Sequence, residues 1–280
     1  MTSFFAGIET PQITILDIGA SFVPGQQHQF ADLVDSGQAR LVGFEPIAEE
    51  CALLNLKKGP NEQYLPYLLG DGTDRTLFIT NSAFCSSMLE PNAAVISQFQ
   101  AYKQMCAIKS KIPMSSTRLD AIEEIGSDVD LIKIDVQGAE LEVLSAGLSV
   151  LSKTLAIKIE VWFIPFYQGQ PLFAEVDQFL RKAGFRFLGL SDFGGQKLAP
   201  FAAKQHGDAF PVSQLIWCDA TYVRDLSSSL DPECHLKMAL IYFEIFRAID
   251  FAHFHLSQYD DMTGTHHAPS LIAQNGIVLP

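Results

Sequence analysis

The sequence predicts an α/β fold: a doubly wound, largely parallel sheet with helices on both faces. Short apolar runs alternate with helix-patterned segments along most of the 280 residues. Several runs end on an acid or a glycine, as strands do where an open sheet meets a ligand. Hydrophobic content is 48% and charged content 18%, which predicts a sizeable core and excludes global disorder.

The elements follow in order. Ile13–Ile18 (ITILDI) is the first strand and stops at Gly19. Residues 30–34 form a weak helical stretch, and 40–44 (RLVGF) the second strand, ending at Glu45-Pro46. Residues 47–57 are helical, with Ile47, Leu53, Leu54 and Leu56 as the apolar surface. A third strand covers 64–69 and closes at Gly70-Asp71-Gly72; 76–80 is a shorter fourth. Residues 91–102 read as helix and 105–113 as an edge strand. Residues 130–135 are the central strand, and 155–161 (LAIKIEV) its neighbour. Phe173, Val176, Phe179 and Leu180 set a helix over 172–183, which Gly184 stops. Two late strands, 185–190 and 214–223, are joined by a long loop over 191–211, a length typical of functional loops. Residues 231–257 make a terminal helix with one polar stripe (Lys237, Glu244, Arg247, Asp250, His253). Its wide apolar surface must be covered by the domain or by a second subunit, which allows a homo-oligomer through this helix. From Gln258 onward the tail reads as loosely ordered. The domain boundaries expected are 1–225 and 226–280.

Net charge is -13, which disfavours nucleic acid as a partner. Five scattered cysteines without a C-x-x-C pair, and an N-terminus without a signal-peptide pattern, predict a cytoplasmic protein. No 18-residue window is charge-free in the way a membrane span requires. His253 and His255 fall on different helix faces, His266-His267 lies in the tail and His206 in the late loop. No metal site is expected from such spacing.

Strand-end carboxylates are the chemical signal. Asp17 precedes Gly19 and Ala20, where a ligand can approach the backbone. Glu45 closes the second strand, where an acid in a nucleotide-binding α/β fold takes ribose hydroxyls; its other reading is a solvated carboxylate. Asp71 is either ordinary turn chemistry or a contact near the ligand's base. Asp135 and Glu160 end adjacent strands, positions suited to a general base or an ammonium-binding group; Asp135 could equally cap the following helix. Glu140 and Glu142 suit that helix's positive end.

DLIKIDVQGAELEVLSAG (130–147) resembles the hallmark segment of the FkbM-type methyltransferases, among the S-adenosylmethionine-dependent Rossmann-like enzymes. ILDIGAS, VGFEP, YLLGDGTDRTL, SSMLEPN, STRLDAI and EVWFIPFYQGQPLFAEVDQFL match in the same order, over about residues 13–190. The resemblance implies a class I methyltransferase fold, a seven-stranded sheet with its last strand antiparallel. It implies an S-adenosylmethionine pocket over Asp17, Gly19, Ala20, Ser21, Glu45, Pro46, Asp71, Gly72 and Asp135, with Glu45 on the ribose and Asp71 near the adenine. It also implies methyl transfer to a hydroxyl of a small molecule or a glycan. Asp135 is then the candidate base and Glu160 the second, unless Asp135 holds the cofactor's ammonium. Residues 165–171, with Tyr167, and the 191–211 loop would shape the acceptor pocket. The loop 21–27 lacks the usual Asn-x-Gly, which motivates a second reading as a non-catalytic binding or scaffold protein. A nicotinamide oxidoreductase would need the G-x-G-x-x-G that is missing here.

Overall fold

The computed structural model describes residues 4–20, 27–126, 128–199, 214–225 and 230–276. The strands are β1 (Ile13–Ile18), β2 (Ala39–Phe44), β3 (Glu62–Leu65), β4 (Asp74–Thr80), β5 (Ile108–Ser115), β6 (Leu131–Ile134), β7 (Ala156–Trp162), β8 (Phe185–Gly195) and β9 (Leu215–Arg224). Seven of them build one sheet in the order β3-β2-β1-β6-β7-β9-β8. Its left five strands are mutually parallel, and β9 runs antiparallel to both neighbours. This is the seven-stranded arrangement with a reversed last strand that the resemblance implied.

The order reverses between β1 and β6. Successive strands leave β1 toward β3 on one side, and the chain returns to β6 on the other. A crevice opens outside the carboxyl ends at such a switch point. The register sets Asp17 beside Lys133 across β1 and β6.

Side chains alternate between two cores. Leu16, Val42, Ile132 and Ile159 face Val143 and Leu144 of helix α5 (Glu140–Ser145 in the structure's chain order) and Val176 and Leu180 of α7 (Phe173–Lys182). Ile13, Ile15, Leu41 and Ala156 face the C-terminal helices through Leu236, Leu240, Tyr242 and Leu256. Each such side chain contributes about 1.5–3 kcal/mol by burial.

The structure shifts several expected bounds. β3 stops at Leu65 because Pro66 cannot continue the ladder. Residues 91–102 split at Phe99 into α3 (Ala93–Ile96) and α4 (Gln100–Met105). β4 and β5 pair only with each other, as an antiparallel ribbon off the main sheet. β8 runs on to Gly195 through register shifts, so the late loop begins five residues after Ser191. Residues 200–213, with His206, lie outside the described part.

The terminal helix is two helices. Asp231 caps α8 (Pro232–Leu240) by accepting from Cys234 N at 2.7 Å. A π-turn at Ile241–Ile245 and a left-handed Arg247 (φ 55°) then fold α9 (Ile249–Thr263) back onto it. The expected loose tail is instead helix α10 (His267–Gln274). Gly264 ends α9 in the left-handed conformation, Asp260 accepts from His267 N and Ala268 N, and Leu271 is buried. Lys237, expected on a solvent stripe, turns inward to Asp130 of the sheet at 3.2 Å. Most of the apolar surface of this segment is therefore covered within the chain, while Phe254 and Met262 on α9 stay exposed. Among the described residues no helix is long and apolar enough to cross a membrane. All five cysteines are free thiols, though Cys85 and Cys106 meet at 2.6 Å between their sulfurs.

Candidate active site

The ends of β1, β2 and β6 converge because their backbones interlock. Asp135 N donates to Ile18 O at 2.9 Å, and the amides of Gly19 and Ala20 both donate to Phe44 O, at 3.2 and 3.0 Å. Gly19 adopts φ +87°, and a β-carbon there would lie 1.9 Å from the carbonyl oxygen of Asp135. Only glycine permits this approach. Above it opens a cleft of ≈ 590 Å³, within the roughly 300–1,000 Å³ of small-ligand sites.

Its inner wall is made by Gly19, Glu45, Pro46, Ile47, Lys133 and Asp135. Tyr67, Leu68 and Leu69 continue it as an apolar surface. The outer wall is the β4–β5 ribbon, through Leu77, Ile79, Ser110 and Ile112, with the turn carrying Ser86, Ser87 and Met88. Glu45 Oε1 accepts from Ile47 N at 2.7 Å, which fixes the carboxyl at the wall. Burial pushes its pKa up from 4.5 to about 7, partly offset by that amide.

Lys133 is the cation of the floor. Its Nζ lies 3.4 Å from Asp17 Oδ1 and 3.7 Å from Asp135 Oδ2. Burial alone would lower its pKa, but the two carboxylates carry it above its ordinary value. Asp17 Oδ1 has no hydrogen bond, so this ion pair is its compensation. Asp17 thus serves the floor from behind rather than facing the cleft, and Ala20 is buried beside it.

Asp135 is half exposed on the cleft. Its Oδ1 accepts from Gln137 Nε2 at 2.7 Å, and the same nitrogen donates to Glu160 Oε2 at 2.9 Å. Glu160 stands behind Gln137, only 6% exposed and off the cleft wall. Burial, then the charges of Asp135 and Glu140, raise its pKa well above the usual carboxylate range. That placement removes Glu160 from direct contact with an acceptor in the cleft. Glu140 Oε1 accepts from Val136 N and Gly138 N, both at 3.0 Å, and burial raises it to about 7. Oxygens of Asp135, Glu140 and Glu160 all lie within 4.8 Å of one another, a convergence that sequence spacing does not reveal. Lys133, the Gln137 amide and the two backbone N–H groups already answer this charge, and we assign no metal to it.

Asp71 and Gly72 stand outside the cleft. Asp71 Oδ1 accepts from Thr73 N and Oγ1, and its Oδ2 pairs with Arg75 at 2.7 Å. Arg75 also reaches Glu142 at 2.8 Å, so Glu142 braces the ribbon. Both carboxylate oxygens of Asp71 are therefore held at the Gly-Asp-Gly turn. Ser21, with residues 22–26, lies outside the described residues. Tyr167 is fully buried and donates to Gln137 Oε1 at 2.9 Å, so it supports the floor instead of lining an acceptor pocket. Lys133, Ser87 and Gln137 were not foreseen. Lys133 and Gln137 sit inside the most informative motif, and their roles depend on strand register and backbone conformation.

No curated protein matches the chain in sequence. Among solved structures, it is similar to a magnesium protoporphyrin IX methyltransferase from Synechocystis with bound S-adenosylmethionine, at 12% identity and TM-score 0.39, over 79% of this chain and 74% of that one. A putative tRNA (m1A22) methyltransferase from Streptococcus pneumoniae is similar at 12% identity and TM-score 0.38, over 95% and 91%. Residues 17–187, which hold Gly19, Glu45, Lys133, Asp135, Gln137 and Glu160, match the methyltransferase FkbM domain, and the chain belongs to that family of S-adenosylmethionine-dependent methyltransferases.

Proposed function

We propose that the protein methylates a hydroxyl of a small molecule or a glycan, with Asp135 taking the acceptor's proton. The observation that carries this is one cleft holding Gly19, Glu45 and Asp135 at its base, under an outer wall of both apolar and polar surface. S-Adenosylmethionine, when bound, supplies a methyl group on a positively charged sulfur, an electrophile that needs no further activation. The residues present fit this group. The backbone cradle at Gly19 would be filled by any β-carbon, and the Glu45 carboxyl stands at the wall with only one oxygen committed to Ile47. Leu68 and Leu69 offer an apolar surface beyond it for a flat ring.

The rest falls to the protein's own residues. Walls that exclude water and hold two reactants in line contribute by proximity. A carboxylate suffices as the base, because the hydroxyl proton becomes strongly acidic as its oxygen gains a third bond, to the methyl carbon. Leu77, Ile79 and Ile112 on the ribbon, beside the polar Thr80, Lys109 and Ser110, support a compact acceptor with both apolar and polar surface, and the net charge of -13 argues against a nucleic-acid one. The cysteine pattern supports a cytoplasmic location.

The test is paired. Calorimetry with S-adenosylmethionine should show binding to both wild type and Asp135→Asn. Transfer of labelled methyl to a panel of alcohols and glycans should fall at least about 100-fold in the variant, the scale of a lost general base. Loss of binding in Asp135→Asn would instead make Asp135 a cofactor ligand, and undiminished transfer would remove it from the chemistry.

A further inference from the structure

Gln137, Asp192 and Arg247 are the described non-glycine residues with left-handed φ. Of the three, Gln137 (φ 59°) lines the cleft. Strain of this kind persists where the surroundings over-determine it, and here they do. The Gln137 carbonyl accepts from Ser87 Oγ at 2.8 Å. Both hydrogens on Nε2 are used, one on Asp135 Oδ1 and one on Glu160 Oε2. Oε1 accepts from the Tyr167 hydroxyl at 2.9 Å. The amide can stand only one way round, because reversing it would set Oε1 against two carboxylates.

We infer that Gln137 is the positioning residue of this site: its carboxamide bridges Asp135 and Glu160, pins Oδ1 of Asp135, and leaves Oδ2 as the oxygen presented to the cleft. The inference rests on the role proposed for Asp135 above. Without the amide, two carboxylates would face each other across a buried gap, and each would turn toward whatever donor it could find. With it, Glu160 is held in the interior, while Oδ2 stays on the Lys133 side of the floor. The left-handed backbone is what sends the side chain back across the strand ends instead of out into the cleft. Tyr167 fixes the carboxamide and Ser87 the backbone carbonyl, from two further elements, so the clamp is set before any ligand enters. The charged groups facing the pair are Lys133 on β6, Glu140 on α5 and Asp219 on β9.

The decisive experiment needs no acceptor. The full chain, labelled with ¹³C at Asp and Glu carboxyls, is titrated by NMR; Asp135→Asn and Glu160→Gln identify the two signals. Gln137→Gly removes the carboxamide and relaxes the left-handed backbone. Tyr167→Phe keeps the amide and removes its anchor. In Gln137→Gly both carboxyl titrations are expected to rise by about one pH unit, the size of one lost hydrogen bond to a charge. Tyr167→Phe should shift them the same way by less. Unmoved titrations in Gln137→Gly would overturn the inference. Failure of wild type to bind S-adenosylmethionine would end the methyl-transfer reading instead, and the titration would still decide for Gln137.

Discussion

Adding one methyl group at Gly19 tests how rigidly the base of the cleft is built. In Gly19→Ala the new carbon would fall 1.9 Å from the carbonyl oxygen of Asp135 and 2.9 Å from its carbon. A carbon does not approach a carbonyl oxygen within 3.0 Å, so β1 and β6 must part by more than about 1 Å, or Gly19 must leave φ +87°. Overpacking of this kind costs about 1–3 kcal/mol, and the left-handed backbone adds about 1–2 kcal/mol for a residue with a side chain. The sum, about 2–5 kcal/mol, corresponds to a fall of roughly 5–15 °C in Tm for a chain of this size. Gly264→Ala separates the two terms: its φ is +74°, yet nothing lies within 4 Å of the added carbon. Thermal unfolding of both variants, beside calorimetry with S-adenosylmethionine, gives the comparison. Gly19→Ala should lose more stability than Gly264→Ala, and it alone should lose cofactor affinity. Equal melting points for Gly19→Ala and Gly264→Ala, with full affinity in both, would refute the close-approach argument.

Further outcomes follow from other residues. Burial raises Glu45 in the ligand-free protein from 4.5 to about 7, so its contribution to stability is fully present below pH 4.5 and lost as the pH rises through 7. Glu45→Gln should therefore gain on wild type in urea denaturation between pH 5 and 8, while binding S-adenosylmethionine about fivefold more weakly, as for a lost hydrogen bond; a gap independent of pH would contradict this. Lys237→Met strands Asp130, whose other oxygen already accepts from Thr14 N at 2.8 Å. Equilibrium unfolding should show a loss of about 3 kcal/mol, largely restored by adding Asp130→Asn, and a neutral single variant would count against a buried pair. Because α8 and α9 cover most of their apolar surface within the chain, light scattering should give a monomer of 30.9 kDa; a dimer would mean that some other surface pairs.

Strands β1, β2, β6 and β7 were legible because each is a short apolar run with a clear stop. The helical break at Ile241–Ile245 was not, since residues on both sides carry apolar surface and only the left-handed Arg247 shows where the chain folds back. In the site, Gly19, Glu45 and Asp135 could be read from strand ends. Lys133 could not, because its partner Asp17 is 116 residues away and meets it only through parallel register. Gln137 was hidden for a related reason: its partners Glu160, on β7, and Tyr167, in the turn after it, are distant in sequence. Asp71 could have been read more closely, since Arg75 sits four residues on at the start of β4.

The β4–β5 ribbon has a consequence of another kind. Its excursion begins and ends at one point: Gly70 N donates to Thr117 O, Thr117 N to Leu68 O and Ser116 N to Thr73 O, all within 3.0 Å. The excursion is nonetheless keyed to the sheet: Leu77 and Met88 enter its core, and Ser87 Oγ donates to the Gln137 carbonyl. The outer wall of the cleft and its base are thus carried by different stretches of chain. A graft between the tied ends that keeps Leu77, Ser87 and Met88 is expected to change the outer wall and leave the strand-end base in place.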